Sequence, residues 1–131
     1  MSNIFRILLV VLSLLIGLNQ LHTQWLQTNG PNGGEIDCIA IIDSNIFAGT
    51  WEGGMFLSTN NGSNWTAVNT GLVGKNVVSI AINGPNIFAG TFNDGVGMYL
   101  STNNGSSWIP KNTGFTNYNI SAIVVKGIET S

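Results

Sequence analysis

Six carboxylate side chains are the groups of this 131-residue chain that could act as general acids or bases. They are Glu35, Asp37, Asp43, Glu52, Asp94 and Glu129. Glu52 and Asp94 lie in the same connection of two similar segments, "TWEGG" and "TFNDG", and are the best candidates for one shared surface. Trp51 and Phe92 precede them, and aromatic rings on a loop can stack on a sugar or a peptide. We expect solvated turn acids and rings packed between repeats, with a loop binding surface as the alternative.

The composition offers little for other kinds of chemistry. Cys38 is the only cysteine and His22 the only histidine, so neither a disulfide framework nor a clustered metal site can be assembled. His22 lies near the expected leader cleavage region, and without it no serine–histidine–aspartate triad can be assembled. We therefore expect no cofactor and no metal. Charged residues make up 8% of the chain, and a nucleic-acid partner would need a basic patch that is missing. Because Ser79 and Ala122 stand at the position of Cys38 in the other repeats, we expect Cys38 to be a small residue within a strand.

The first 18 residues have the features of a secretory signal peptide. Arg6 supplies a positive charge, and Ile7 to Leu18 form an apolar run of twelve apolar or small residues. That run is shorter than the roughly 20 residues that a transmembrane helix needs, which leaves an uncleaved anchor as the alternative. We predict a signal peptide over residues 1–22, a mature domain over 23–131, and a secreted, periplasmic or cell-surface location, with no other membrane association.

Two long internal repeats, residues 36–72 and 77–115, organise the rest of the chain. "NIFAGT" recurs at an offset of 41 residues and "LSTNNGS" at an offset of 43, so two residues are inserted between them. Each repeat holds four short runs of strand-forming residues bounded by Gly, Asn and Asp. The first run is almost continuously apolar, which predicts a strand buried on both faces. Four strands in such a period are typical of a β-propeller blade.

Partial repeats flank the two complete ones. "WLQTNG" at 25–30 matches the fourth run, and "ISAIVV" at 120–125 matches the first. We therefore predict an all-β chain of two complete propeller blades, each a four-stranded antiparallel sheet, plus one strand at each end of an incomplete ring. The chain is predicted to be the N-terminal piece of a longer propeller. Expressed alone, its unpaired edges favour self-association.

The repeated turn, "LSTNNGSNW" at 57–65 and "LSTNNGSSW" at 100–108, could bind a ligand or hold a hairpin. An Asn side-chain oxygen can accept the turn's N–H groups, Gly supplies a positive φ, and we expect both Trp rings to be buried. Truncating either ring would then cost about 3–5 kcal/mol. A calcium site would need carboxylates, which neither copy has. The residues predicted to form the turn are Ser58, Asn60, Gly62, Trp65, Ser101, Asn103, Gly105 and Trp108.

These two segments resemble the Asp-box, or BNR repeat, of pattern S-x-D-x-G-x-S/T-W, with Asn60 and Asn103 in place of the acid. Asp-boxes recur in sialidase-like, xyloglucanase-like, sortilin-like and photosystem II assembly-factor-like propellers. The resemblance covers residues 25–125 and implies a β-propeller fold, but it says little about function because one fold supports many.

The resemblance implies two functions of different classes. One is a non-catalytic exported scaffold with a protein or carbohydrate partner. The alternative is the N-terminal portion of a sialidase-like or xyloglucanase-like glycoside hydrolase, with catalytic residues missing from this chain. Sialidases of this kind bind a carboxylate through clustered arginines, whereas Arg6 lies in the leader and is the only arginine. The near-identity of the repeats favours the scaffold, because an active site breaks the symmetry of its loops.

Overall fold

The computed structural model describes residues 2–18, 29–93 and 97–127. Helix α1 (Ser2–Leu18) precedes two sheets. The first sheet contains β1 (Ile36–Ile42), β2 (Asn45–Thr50), β3 (Gly54–Ser58) and β4 (Thr66–Ala67). The second contains β5 (Val77–Asn83), β6 (Asn86–Thr91), β7 (Met98–Ser101) and β8 (Ile109–Pro110). Within the described ranges, no helix is long and apolar enough to span a membrane.

Each sheet has four strands that pair with their sequence neighbours in an antiparallel sense, in the orders β1-β2-β3-β4 and β5-β6-β7-β8. The registers match: Ile36 pairs with Thr50 and Val77 with Thr91, and each first strand has an irregularity directly after that pair. Neither sheet closes into a barrel. The predicted all-β fold is confirmed, with two four-stranded units in an incomplete propeller-like arrangement.

The C-terminal flanking segment differs from the prediction, whereas most of the N-terminal one lies outside the described residues. Residues 121–127 form no strand, because no second segment of the described chain pairs along them. Of the predicted strand at 25–30, only residues 29 and 30 are described, and Trp25 lies outside the described part. The fourth strands are also short, at two residues each. Pro110 lies in β8 at a sheet edge, as its missing N–H requires.

The hydrophobic core lies between the two sheets. Phe47 on the first sheet and Ile87 and Tyr99 on the second are at most 1% exposed and belong to one cluster. Gly49 permits the close approach, since a Cβ there would collide with the Cys38 sulfur and the Val77 carbonyl. The sheets are therefore in contact at the level of their backbones, and a larger residue at Gly49 would force them apart.

The prediction that both first strands are buried on both faces is wrong for β1. Ile39 and Ile41 are 60% and 64% exposed, whereas the matching residues Ile80 and Ile82 pack against the core. The first sheet covers Ile80 and Ile82. No described sheet covers the side of β1 that carries Ile39 and Ile41.

The connection between the sheets is held by Tyr99. This ring is 1% exposed, and its hydroxyl accepts the N–H groups of Val73 at 3.3 Å and Gly74 at 3.5 Å. Phe56, the matching residue of the first sheet, has the same ring without the hydroxyl. The hydroxyl is thus a specific addition at the point where the chain passes from one sheet to the next.

We expect Tyr99→Phe to lower the free energy of unfolding by about 1 kcal/mol, because the Val73 and Gly74 N–H groups lose their acceptor while the ring packing is kept. Urea titration followed by circular dichroism measures this change. Tyr118→Phe is the matched control, since that side chain is 41% exposed and its loss of a hydroxyl should leave stability unchanged. Equal stability of both variants would show that the hydroxyl does not hold the connection.

Candidate functional site

The loops of each sheet fall at two ends, because neighbouring strands run in opposite directions. The turn end comprises the β1–β2 and β3–β4 connections and their counterparts in the second sheet. The loop end comprises residues 51–53 and 92–93 together with the connections 68–76 and 111–119. A backbone bond of 2.8 Å from the Gly54 N–H to the Lys75 carbonyl joins two of these loops. The predicted site residues are divided between the two ends.

At the turn end, the polar side chains of the first repeated turn bond to the turn itself. The Ser58 hydroxyl oxygen accepts the Gly62 N–H at 2.8 Å and donates its proton to Asn60 Oδ1 at 3.0 Å. Asn60 Oδ1 also accepts the Asn64 N–H at 2.9 Å. Asn61 and Gly62 both have positive φ, +55° and +79°. The positive φ at Gly62 was predicted and the one at Asn61 was not, although Asn-Gly favours such a pair.

The second turn repeats this arrangement closely. Gly105 N–H donates to the Ser101 hydroxyl oxygen at 2.9 Å, and Ser107 N–H donates to Asn103 Oδ1 at 2.9 Å. In addition, the Asn103 side-chain amide donates to the Ser107 hydroxyl at 2.8 Å. Both copies therefore use the Ser and Asn side-chain oxygens within the hairpin, which leaves them little capacity to bind a ligand.

The two tryptophans behave differently. Trp108 is 2% exposed, and its indole N–H donates to the Val68 carbonyl of the first sheet at 2.7 Å, so it fastens the two sheets together. Trp65 is only half-buried, and its indole N–H donates to Gly62 within its own turn at 3.1 Å. The predicted burial is correct for Trp108 and incomplete for Trp65. For Trp65, the residues that correspond to Val68 belong to the partial repeat before the first sheet. These residues lie mainly outside the described ranges.

At the loop end, Glu52 corresponds in geometry to Asn93. Both have positive φ, +72° and +63°, and both donate their N–H at 2.9 Å to an asparagine Oδ1, that of Asn76 and that of Asn119 respectively. Asp94, which the sequence placed with Glu52 on one surface, lies outside the described residues. The residue equivalent to the exposed Glu52 is thus an asparagine, and the shared surface of Glu52 and Asp94 stays a prediction.

Trp51 and Phe92 occupy matching positions beside these residues and are both half-buried. Their backbone N–H groups bond to the Glu35 carbonyl at 2.8 Å and to the Asn76 carbonyl at 3.0 Å. Both residues therefore keep part of their surface toward solvent. Phe115 and Tyr118, at 38% and 41% exposure, add further aromatic surface to the connection that follows β8.

Two further asparagines stabilise the loop end, a role that was not predicted from the sequence. Asn69 Oδ1 accepts the Met55 N–H at 2.7 Å, and the Asn69 amide donates to the Gly53 carbonyl at 3.0 Å. Asn112 Oδ1 accepts the Met98 N–H at 2.8 Å. The repeated "NTG" motif contains both residues and is the sequence feature that could have indicated this role. These bonds, with those of Asn76 and Asn119, fix the loops from two directions.

The surroundings of Cys38 raise the pKa of its thiol. Burial raises the pKa of its thiol to about 11, the nearby Asp37 carboxylate adds to the rise, and a hydrogen bond with the Gly49 backbone opposes it. The thiol is therefore protonated at neutral pH, and it donates to the Val77 carbonyl at 3.4 Å. This is the environment of a structural cysteine, not of a nucleophile. In the described part of the chain, no three potential metal ligands are grouped.

Comparisons with known proteins returned no match: no family model, no curated protein and no solved structure is similar to this chain.

We expect Asn60→Asp to preserve the first turn and Asn60→Ala to destabilise the protein by about 1–2 kcal/mol. The carboxylate keeps an acceptor for the Ser58 hydroxyl and the Asn64 N–H, whereas alanine removes it. Thermal unfolding at pH 7 compares both variants with the unaltered protein. Thr59→Ala, an exposed position in the same turn, serves as the control. Equal destabilisation by Asp and Ala would refute the role given to the side-chain oxygen.

The tryptophans provide a second comparison. Trp108→Ala should cost about 3–5 kcal/mol, because it opens a cavity between the sheets and removes a bond to Val68. Trp65→Ala should cost less than half as much, since that ring is already half-exposed. Urea unfolding curves measure both values. A Trp65 effect as large as that of Trp108 would contradict the difference in burial.

Proposed function

We propose that this protein is a non-catalytic scaffold of the Asp-box propeller type that presents its loop end to a carbohydrate or protein partner. The observation that carries the proposal is the use of the repeated Ser and Asn side chains in internal bonds of both turns. Because these side-chain oxygens bond within the turn, the turn stabilises the hairpin. We therefore place the partner surface elsewhere.

The loop end has the chemistry that such a surface needs. Half-buried aromatic rings at Trp51 and Phe92 lie next to the exposed carboxylate of Glu52 and the exposed amide of Asn93. Aromatic faces stack on sugar rings, and amide and carboxylate groups bond to hydroxyls. Because four asparagine side chains hold these loops in place, little conformational freedom would be lost on binding.

The alternative hydrolase needs two carboxylic acids that face one cleft. Glu52 is exposed, and its geometric counterpart is the amide residue Asn93. The general acid of a glycosidase normally lies in a hydrophobic pocket. These features favour the scaffold over the hydrolase for the part of the chain that is described.

We also propose that the protein is exported. Helix α1 (Ser2–Leu18) coincides with the apolar segment that follows the basic Arg6, and this combination is that of a signal sequence. Export agrees with a chain whose charged residues are only 8% and whose connections are rich in Asn, Ser, Thr and Gly.

A glycan array followed by calorimetry tests the binding proposal. We expect binding to at least one carbohydrate class, weakened about ten-fold or more by Trp51→Ala, because the loss of an aromatic stacking surface corresponds to about 1–2 kcal/mol. Tyr118→Ala gives a second, more exposed position in case the first variant loses its fold. Thr59→Ala at the turn end is the matched control and should bind normally.

Two results would overturn the proposal. Release of shorter sugars from a bound glycan would show that the chain is catalytic. Binding that is abolished by Asn60→Asp or Thr59→Ala but unaffected by Trp51→Ala would place the site at the turn end. If no glycan binds, capture of a protein partner must show the same dependence on Trp51 and Tyr118.

A further inference from the structure

Five Asn-Gly pairs are spread along this chain, and they differ in how far the fold protects them from a reaction of their own. Asparagine is a thermolabile residue, and a following glycine makes it more reactive because no Cβ shields the glycine nitrogen from the asparagine side chain. Two pairs lie in the repeated turns, one lies in the β5–β6 connection, and two precede the first sheet. Their positions are 29–30, 32–33, 61–62, 83–84 and 104–105.

In the repeated turns, the glycine nitrogen is held by a hydrogen bond. Gly62 N–H donates to the Ser58 hydroxyl oxygen at 2.8 Å, and Gly105 N–H donates to the Ser101 hydroxyl oxygen at 2.9 Å. Both glycines are buried. A nitrogen held in this way can react only after its hydrogen bond has opened, as in amide hydrogen exchange. The pairs at 61–62 and 104–105 are therefore closed in the folded protein.

The pair at 83–84 lacks this protection. Asn83 ends β5 and pairs with Asn86 across a connection of two residues, Gly84 and Pro85. Asn83, Gly84 and Pro85 are all exposed, and a Cβ at Gly84 would meet no atom within 4 Å. Among the described residues, no hydrogen-bond acceptor serves the Gly84 N–H. The Gly84 nitrogen is therefore accessible without any prior opening of the fold.

We propose that Asn83 is a site of spontaneous deamidation in the folded protein, whereas Asn61 and Asn104 are protected by their turns. The Gly84 nitrogen forms a bond to Asn83 Cγ, and the bond between Cγ and Nδ2 breaks. The proton of the Gly84 N–H leaves with the side-chain nitrogen as ammonia, which gives a succinimide. Water then opens the succinimide. Addition of water at Cγ gives aspartate, and addition at the main-chain carbonyl carbon gives isoaspartate.

The isoaspartyl product alters the β5–β6 connection. Its main chain runs through Cβ and Cγ, so the backbone gains one atom next to a connection of only two residues. Both products also place a negative charge at the turn end. The first sheet has Ile42 at the matching position of its own connection, so the change is confined to the second sheet. Because residue 83 lies away from the loop end, this inference does not depend on the proposed function.

The two remaining pairs precede the first sheet and differ from each other. Asn29 and Gly30 are exposed, and a Cβ at Gly30 would meet no atom within 4 Å, so we expect this pair to react as well. Gly33 is buried, and a Cβ there would collide with Thr50 and Gly53. We expect the pair at 32–33 to react slowly, because its atoms have little room to rearrange.

Incubation of the full chain at mildly alkaline pH, followed by peptide fragmentation in a mass spectrometer, assigns the exchange of ammonia for water to individual residues. Asn83 should react about ten-fold faster than Asn61 and Asn104, because only the latter two must first open a hydrogen bond. In urea, where the chain is unfolded, the three rates should converge. Chromatographic separation of aspartyl from isoaspartyl peptides identifies the succinimide route, and Asn83→Gln should remove the signal at that position.

The variant Ser58→Ala tests the cause of the protection. It removes the acceptor of the Gly62 N–H and should raise the rate at Asn61 several-fold. Asn104 in the same chain is the matched control and should stay slow, and Ser58→Thr keeps a hydroxyl and should keep Asn61 slow. If Ser58→Ala unfolds the protein, Asn61 and Asn104 accelerate together, and the comparison of the unaltered protein with and without urea decides.

Three results would overturn the proposal. In the unaltered folded protein, Asn61 or Asn104 might react as fast as Asn83, so that the turns give no protection. Asn83 might stay intact in the folded protein although it reacts in urea, so that the β5–β6 connection is not open. A folded Ser58→Ala variant without any acceleration at Asn61 would remove the role given to the serine hydroxyl.

Discussion

The face-to-face packing of successive sheets is the interaction on which the rest of the structure depends. Each sheet is only four strands wide and buries its apolar residues against the next one, so neither is complete by itself. The approach is close because Gly49 and Gly90 leave room for the backbone of the following unit. Tyr99 and Trp108 then bind one sheet to connections of the other. The positions of the loops depend on this contact between the sheets.

Asparagine side chains recur as hydrogen-bond partners in the described part of this structure. With so few charged residues, the chain uses asparagine where other proteins use carboxylates or ion pairs, both inside the repeated turns and between the units. An asparagine oxygen accepts an N–H as an aspartate oxygen does, without the cost of burying a charge. The hydrogen bonds of these asparagines therefore do not depend on the titration of a side chain.

The spacing of the apolar runs predicted the four strands of each unit, because local alternation and turn residues decide them. The same reasoning failed at β1, where a neighbouring unit decides which face is buried, and it did not predict the hydrogen bond of Glu52. Asn76 fixes the N–H of Glu52 from the next unit, and such a bond between units leaves no local pattern. Likewise, the apolar run of β1 does not tell which of its faces is covered. Asn69 could have been found from its repeated "NTG", but its acceptor role depends on the loop that folds over it.

The central claim is that the Ser and Asn side-chain oxygens of the repeated turn are already occupied by hydrogen bonds within the turn. Amide hydrogen exchange of the protein without any ligand tests this most directly. The amides of Gly62 and Gly105, which donate to serine hydroxyls at 2.8 and 2.9 Å, should exchange far more slowly than those of an unfolded chain. Exchange of both amides at the unfolded rate would contradict the account, because the serine oxygens would then be available to bind something else.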